Sequence, residues 1–122
     1  MPVRPKIVAV VDDDLGMLKA IERLLKAHGF QVEALSSAEA FLAGGASEHA
    51  DCLLLDIHLG RMSGLELHRQ LTNSGRALPV IFITAVDDEG TKQQALGAGC
   101  VDFLRKPFTS QVLFAAIQKA LG

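Results

Sequence analysis

Hydrophobic and polar positions switch between two periods along this chain. Ile7–Val11 is a short apolar run rich in β-branched residues and reads as a strand. Residues 15–28 then take helical spacing. Met17, Ile21, Leu24 and His28 fall on one line with Leu18 and Leu25 beside it, and Gly29 supplies a stop. Phe30–Leu35 alternates apolar with polar, as a half-buried strand does. Ser36 followed by Glu39 has the capping-box spacing that opens a helix over Ala38–Leu42, closed by Gly44-Gly45. The continuous apolar run Cys52–Leu55 predicts a third strand. A second capping box, Ser63 with Glu66, leads into a helix carrying Leu65, Leu67 and Leu71, which Gly75 ends. Pro79 precedes a fourth strand at Val80–Ile83. Asp87 or Asp88 caps a weak helix through Leu96, with Gly90 inside it and Gly97 and Gly99 after it. Val101–Leu104 is a fifth strand. Thr109 caps a last helix with Val112, Leu113, Ala116, Ile117 and Ala120 on its buried face.

Five strands therefore alternate with five helices. Strands that are apolar throughout are covered on both faces, so the pattern predicts an α/β fold, a parallel sheet with helices on either side. A chain of 122 residues fits one domain, 1–122, with an ordered core over about 6–121. With 49% hydrophobic and 21% charged residues the chain is globular rather than disordered. A formal net charge of -2 argues against direct nucleic-acid binding, which needs a basic excess. No apolar run approaches the roughly 18 residues that span a bilayer, and Met1-Pro2-Val3-Arg4-Pro5-Lys6 lacks the order of a signal peptide, so a cytoplasmic location is expected. Cys52 and Cys100 read as buried free thiols, and without a CxxC pair a structural zinc site is not expected.

Sites in an open α/β sheet lie outside the carboxyl ends of the strands. Here the first strand runs into Asp12-Asp13-Asp14, the third into Asp56, the fourth into Thr84-Ala85, and the fifth is followed by Lys106-Pro107. Each group alone has a plain structural reading. Asp13 or Asp14 suits a helix N-terminus, Asp56 a turn, Thr84 a strand-end hydroxyl, and Lys106 a loop. Their arrival together at one sheet edge is the informative feature. Crowded carboxylates repel unless a cation joins them. An all-oxygen donor set selects a hard ion, most simply Mg²⁺. An Asp beside such an ion and an ammonium group is set to attack a phosphoryl group, with ion and lysine balancing charge on the transferred oxygens.

In Val10-Val11-Asp12-Asp13-Asp14, Leu53-Leu54-Leu55-Asp56, Ile83-Thr84-Ala85 and Phe103-Leu104-Arg105-Lys106-Pro107-Phe108, the chain resembles the receiver domain of two-component response regulators, from about Lys6 to Leu121. The resemblance implies a flavodoxin-like, doubly wound (βα)5 fold with strand order 2-1-3-4-5. It makes Asp56 the phosphoacceptor. Mg²⁺, or Mn²⁺ in its place, would be held by Asp12, Asp13, Asp56 and the backbone carbonyl of His58. Thr84, Ala85 and Lys106 would contact the phosphoryl group, Thr84 and Phe103 would form the switch, and Lys106-Pro107 would be a cis peptide. It further implies a histidine kinase or phosphotransfer protein as donor. The output face would be the fourth helix, fifth strand and fifth helix, open to an unidentified partner or a second copy. Only self-phosphorylation and dephosphorylation would be catalysed.

Some residues depart from the family pattern. Gly60 stands where Pro is usual and Ser63 where Asp is common, which bears on loop order and kinase docking. By the same resemblance, His58 and Val86 stand at positions that tune phosphorylation and hydrolysis rates in the family. Val86 offers an attacking water no hydrogen bond, so a phosphoryl lifetime well beyond seconds is expected. Three other readings compete. An aspartyl-phosphate phosphohydrolase would want a second Asp where His58 stands, and a cap domain. A flavodoxin-like cofactor carrier would want a phosphate loop in place of the acidic triplet. A degenerate receiver would lack some of the site residues. Whether the domain stands free or belongs to a longer DNA-binding regulator is open at this level.

Overall fold

The structure, a computed structural model, describes residues 5–85 and 89–122. Val86 and the proposed caps Asp87 and Asp88 lie outside the described residues. The strands are β1 (Ile7–Val11), β2 (Gln31–Leu35), β3 (Cys52–Asp56), β4 (Val80–Thr84) and β5 (Asp102–Arg105). They form one parallel sheet in the order β2-β1-β3-β4-β5. The helices are α1 (Leu15–Ala27), α2 (Ala38–Ala43), α3 (Ala46–His49), α4 (Gly64–Asn73), α5 (Glu89–Gly97) and α6 (Ser110–Leu121). The one-turn α3 was not expected from the sequence. Gly45, at φ 73°, breaks the α2 path, and the Glu48 N–H to Gly45 carbonyl bond of 3.0 Å starts a new turn.

Period-two alternation sorts the inner strands onto two core layers. Ala9, Val11, Leu53, Leu55, Val80 and Phe82 face Phe41 of α2, Leu67 and Leu71 of α4 and Ala95 of α5. Val8, Val10, Cys52, Leu54, Ile81 and Ile83 face α1 and α6. β3 and β4 are buried along their whole length, while the edge strand β2 is half-buried and alternating, as its sequence predicts.

Several finer expectations are corrected. The buried line of α1 is Leu18, Ile21 and Leu25, with Met17 and Leu24 at its margin. Burying each of those three contributes about 1.5–3 kcal/mol. His28 is exposed at the C-cap, where its ring lies 4.1 Å from that of Phe114. The α2 cap is Ser37, not Ser36. Ser37 is extended and its hydroxyl accepts the Ala40 N–H at 3.0 Å, which leaves Glu39 in the first turn but outside a capping box. On α6, Val112 is exposed, and Phe114 takes a half-buried place instead. Cys52 is buried and free, its thiol pushed up to about 12 by burial and then by Asp51, whereas Cys100 is free but only half-buried.

Candidate functional site

β1 and β3 are parallel neighbours with Val11 opposite Leu55, so the chain leaves the sheet at Asp12 and Asp56 side by side. The Asp12 N–H bonds the Leu35 carbonyl at 3.1 Å, and its side chain is fully buried. One Asp12 oxygen accepts the Asp14 N–H at 2.9 Å. Asp14 itself is exposed and caps α1, accepting from Gly16 and Met17 at 3.0 and 3.2 Å. The acidic triplet thus divides. Asp14 is a helix cap, while Asp12 and the exposed Asp13 join Asp56, with carboxylate oxygens within 4.8 Å of one another.

Lys106 reaches this cluster from the loop after β5. Its backbone N–H bonds the Thr84 carbonyl at 2.7 Å, and the Lys106-Pro107 bond is cis. Its Nζ lies 2.8 Å from Asp12 Oδ2 and 3.2 Å from Asp56 Oδ2. The other Asp56 oxygen accepts the His58 N–H at 3.0 Å. The His58 side chain is exposed, so its backbone is what borders the site. Thr84 is fully buried at the end of β4, one residue beyond the partner of Asp56, and Ala85 is exposed after it. Phe103 sits on β5 opposite Phe82, half-buried against the core.

Charge is unbalanced here. Burial pushes the Asp56 carboxyl up to about 6; the His58 N–H opposes the rise, Asp12 adds to it, and Lys106 opposes it. Burial works against the Lys106 ammonium, but hydrogen bonds and charge from Asp12 and Asp56 hold its pKa above the ordinary lysine value. Three carboxylates cluster here, the Lys106 ammonium bonds two of them, Asp12 and Asp56, and all the candidate ligand atoms are oxygen. That donor set fits a hard divalent cation, which would supply the missing positive charge.

Two residues in this region differ from what the sequence suggests. From its residue type, His68 reads as a helix-end or surface residue. It is buried on α4, edge-on to Phe82 with ring centroids 5.4 Å apart, and burial lowers its pKa. Its place on the stripe with Gly64, Leu67 and Leu71 was the available signal. Gly64 was given no role, yet it packs directly on the backbone of Asp56.

A family model for the response regulator receiver domain matches residues 8–118. The chain belongs to this family. This receiver domain is 39% identical over 121 residues to the response regulator protein TodT of Pseudomonas putida (strain F1), covering 99% of this chain and 53% of TodT. It spans about half the length of the curated relatives it matches. Among solved structures it resembles FixJ-N with a TM-score of 0.88 at 36% identity, covering 98% of this chain and 95% of that one. It also resembles the response regulator StyR with a TM-score of 0.89 at 40% identity, covering 97% of this chain and 60% of that one. The receiver fold, with five parallel strands in the order expected, is as the sequence resemblance implied.

Proposed function

We propose that this receiver domain accepts a phosphoryl group on Asp56 and thereby switches a binding surface. The observation that carries this reading is Lys106 bridging Asp12 and Asp56 beside Asp13, at the carboxyl edge of the sheet. Asp12, Asp13, Asp56 and the His58 carbonyl would hold Mg²⁺, with Mn²⁺ able to replace it. When bound, the ion neutralises charge on the transferred phosphoryl oxygens. Asp56 acts as an unprotonated nucleophile. A bond forms from its carboxylate oxygen to phosphorus as the donor's bond to phosphorus breaks, and the electron pair leaves with the donor. The His58 N–H fixes one Asp56 oxygen and Lys106 the other, so the side chain is oriented before the donor arrives. Lys106, Thr84 and Ala85 then contact the phosphoryl oxygens. The donor is a histidine kinase or phosphotransfer protein. The domain catalyses only its own phosphorylation and dephosphorylation and acts in the cytoplasm. Among the described residues no helix is long and apolar enough to cross a membrane.

The output surface is α5, β5 and α6, with Thr84 and Phe103 relaying the change to an unidentified partner or a second copy. α5 buries only Ala95, so moving it disturbs little packing. The length of TodT and its like supports reading the domain as the receiver part of a longer regulator; a DNA-binding output part is the form of that reading the domain's own net charge of -2 would leave to the rest of the protein. Beryllofluoride with Mg²⁺ tests the switch. Amide shifts should spread from the site to Thr84, Phe103 and α5. Shifts confined to residues 12–14 and 56–58 would contradict it.

A further inference from the structure

We infer that Gly64 is a further positioning residue of the phosphoacceptor, acting through its backbone, a step that rests on the reading of Asp56 above. Its φ is outside the left-handed region, so backbone freedom does not explain a glycine there. Space does. A Cβ at this position would lie 2.2 Å from the Asp56 carbonyl oxygen, 2.9 Å from Ile57 Cα and 3.0 Å from the Asp56 carbonyl carbon. All three are backbone atoms and cannot turn aside as a side chain does. Gly64 also donates its N–H to the Ile57 carbonyl at 2.8 Å, and Ile57 donates to Ile83 of β4 at 3.0 Å. The first residue of α4 is therefore pressed onto the chain between Asp56 and His58, whose N–H holds the Asp56 carboxylate. Gly60, in the same loop, has nothing within 4 Å of its added Cβ. The two glycines make a matched pair: one fills a close approach, and the other faces open space.

The test compares the wild-type domain with Gly64→Ala and Gly60→Ala, each first shown to be folded by circular dichroism. The maximal rate of phosphoryl uptake is measured with a small acyl phosphate and saturating Mg²⁺. Mn²⁺ affinity is measured by electron paramagnetic resonance. The His58 amide shift is recorded without metal or donor. Relieving the clash moves the Asp56 backbone by about 1 Å, a displacement that costs about a hundredfold in rate. Gly64→Ala should show that loss, weaker Mn²⁺ binding and a displaced His58 amide. Gly60→Ala, though nearer to His58 in sequence, should match wild type in all three. A folded Gly64→Ala that matches wild type overturns the inference. A wild type that takes up no phosphoryl group from the acyl phosphate counts against Asp56 reacting with small donors and not against Gly64, whose role the Mn²⁺ affinity and the His58 shift then decide. Should Gly64→Ala not fold, hydrogen exchange in the wild type decides. A first-turn N–H has no partner within its own helix, so strong protection at Gly64 supports the contact with Ile57, and exchange at an open-loop rate overturns it.

Discussion

Asp56 is held in a place where its charge is disfavoured, and its neighbours only partly offset that. Its folded-state pKa is raised from 3.8 to about 6, so the folded protein binds this proton more tightly than the unfolded chain does. The associated stability is fully present below the unfolded value and is lost as pH rises from about 4 through about 6. At pH 7 without metal, Asp56→Asn should therefore be more stable than wild type by roughly 1–3 kcal/mol. The gap should close as the pH is lowered to about 4. Thermal melts in EDTA across that range would show it, and a gap independent of pH would contradict it. Lys106 is the counterpart. Removing it as Lys106→Met strands two buried carboxylates, and breaking such a pair costs about 3 kcal/mol. Denaturant melts should show that loss, with Mg²⁺ recovering much of it. Their places at this edge were legible because Asp56 closes the buried run of β3 and Lys106 comes directly after β5. His68 was misread because a polar residue type outweighed a helical stripe that already placed it inward. Leu18 was ranked beside the α1 line instead of on it, since adjacent stripes of an amphipathic helix differ too little in composition to separate.

At the scale of elements, strands and helices lie within a residue or two of their sequence boundaries, because apolar runs and glycine stops are local signals. Caps shift more easily. Ser36 and Ser37 are both good caps, and only the entry angle of the chain chooses between them, with Ser37 extended and bonded to Ala40. Ser37→Ala should cost about 1 kcal/mol, and Ser36→Ala less than about 0.5 kcal/mol. Equal losses would contradict the assignment. The four residues of α3 have no apolar period to detect, so nothing in the pattern announces it. α5 is the opposite case, a helix whose weakness was readable from Gly90 and Gly97. Since it buries Ala95 alone, its amides should exchange faster than those of α1 and α6 in the unphosphorylated protein. Uniform protection across the three helices would argue against a mobile output face.

For the whole molecule, the parallel α/β class followed from continuous apolar strands, but the strand order did not. Local patterns do not say which strand neighbours which, and the order β2-β1-β3-β4-β5 came through the family resemblance. That order makes the site, because β1 and β3 must be adjacent for Asp12 and Asp56 to share Lys106. The packing contact of Gly64 lies between a helix start and a strand end eight residues earlier, and no local pattern in the sequence announces it. The central claim is that this edge performs phosphoryl transfer onto one aspartate. Intact-mass analysis after incubation with a small phosphodonor tests it most directly, in Mg²⁺ and in EDTA, for wild type and Asp56→Asn. A single phosphoryl adduct that needs both Mg²⁺ and Asp56 is the predicted result. An adduct that survives Asp56→Asn, or forms equally well in EDTA, would contradict it.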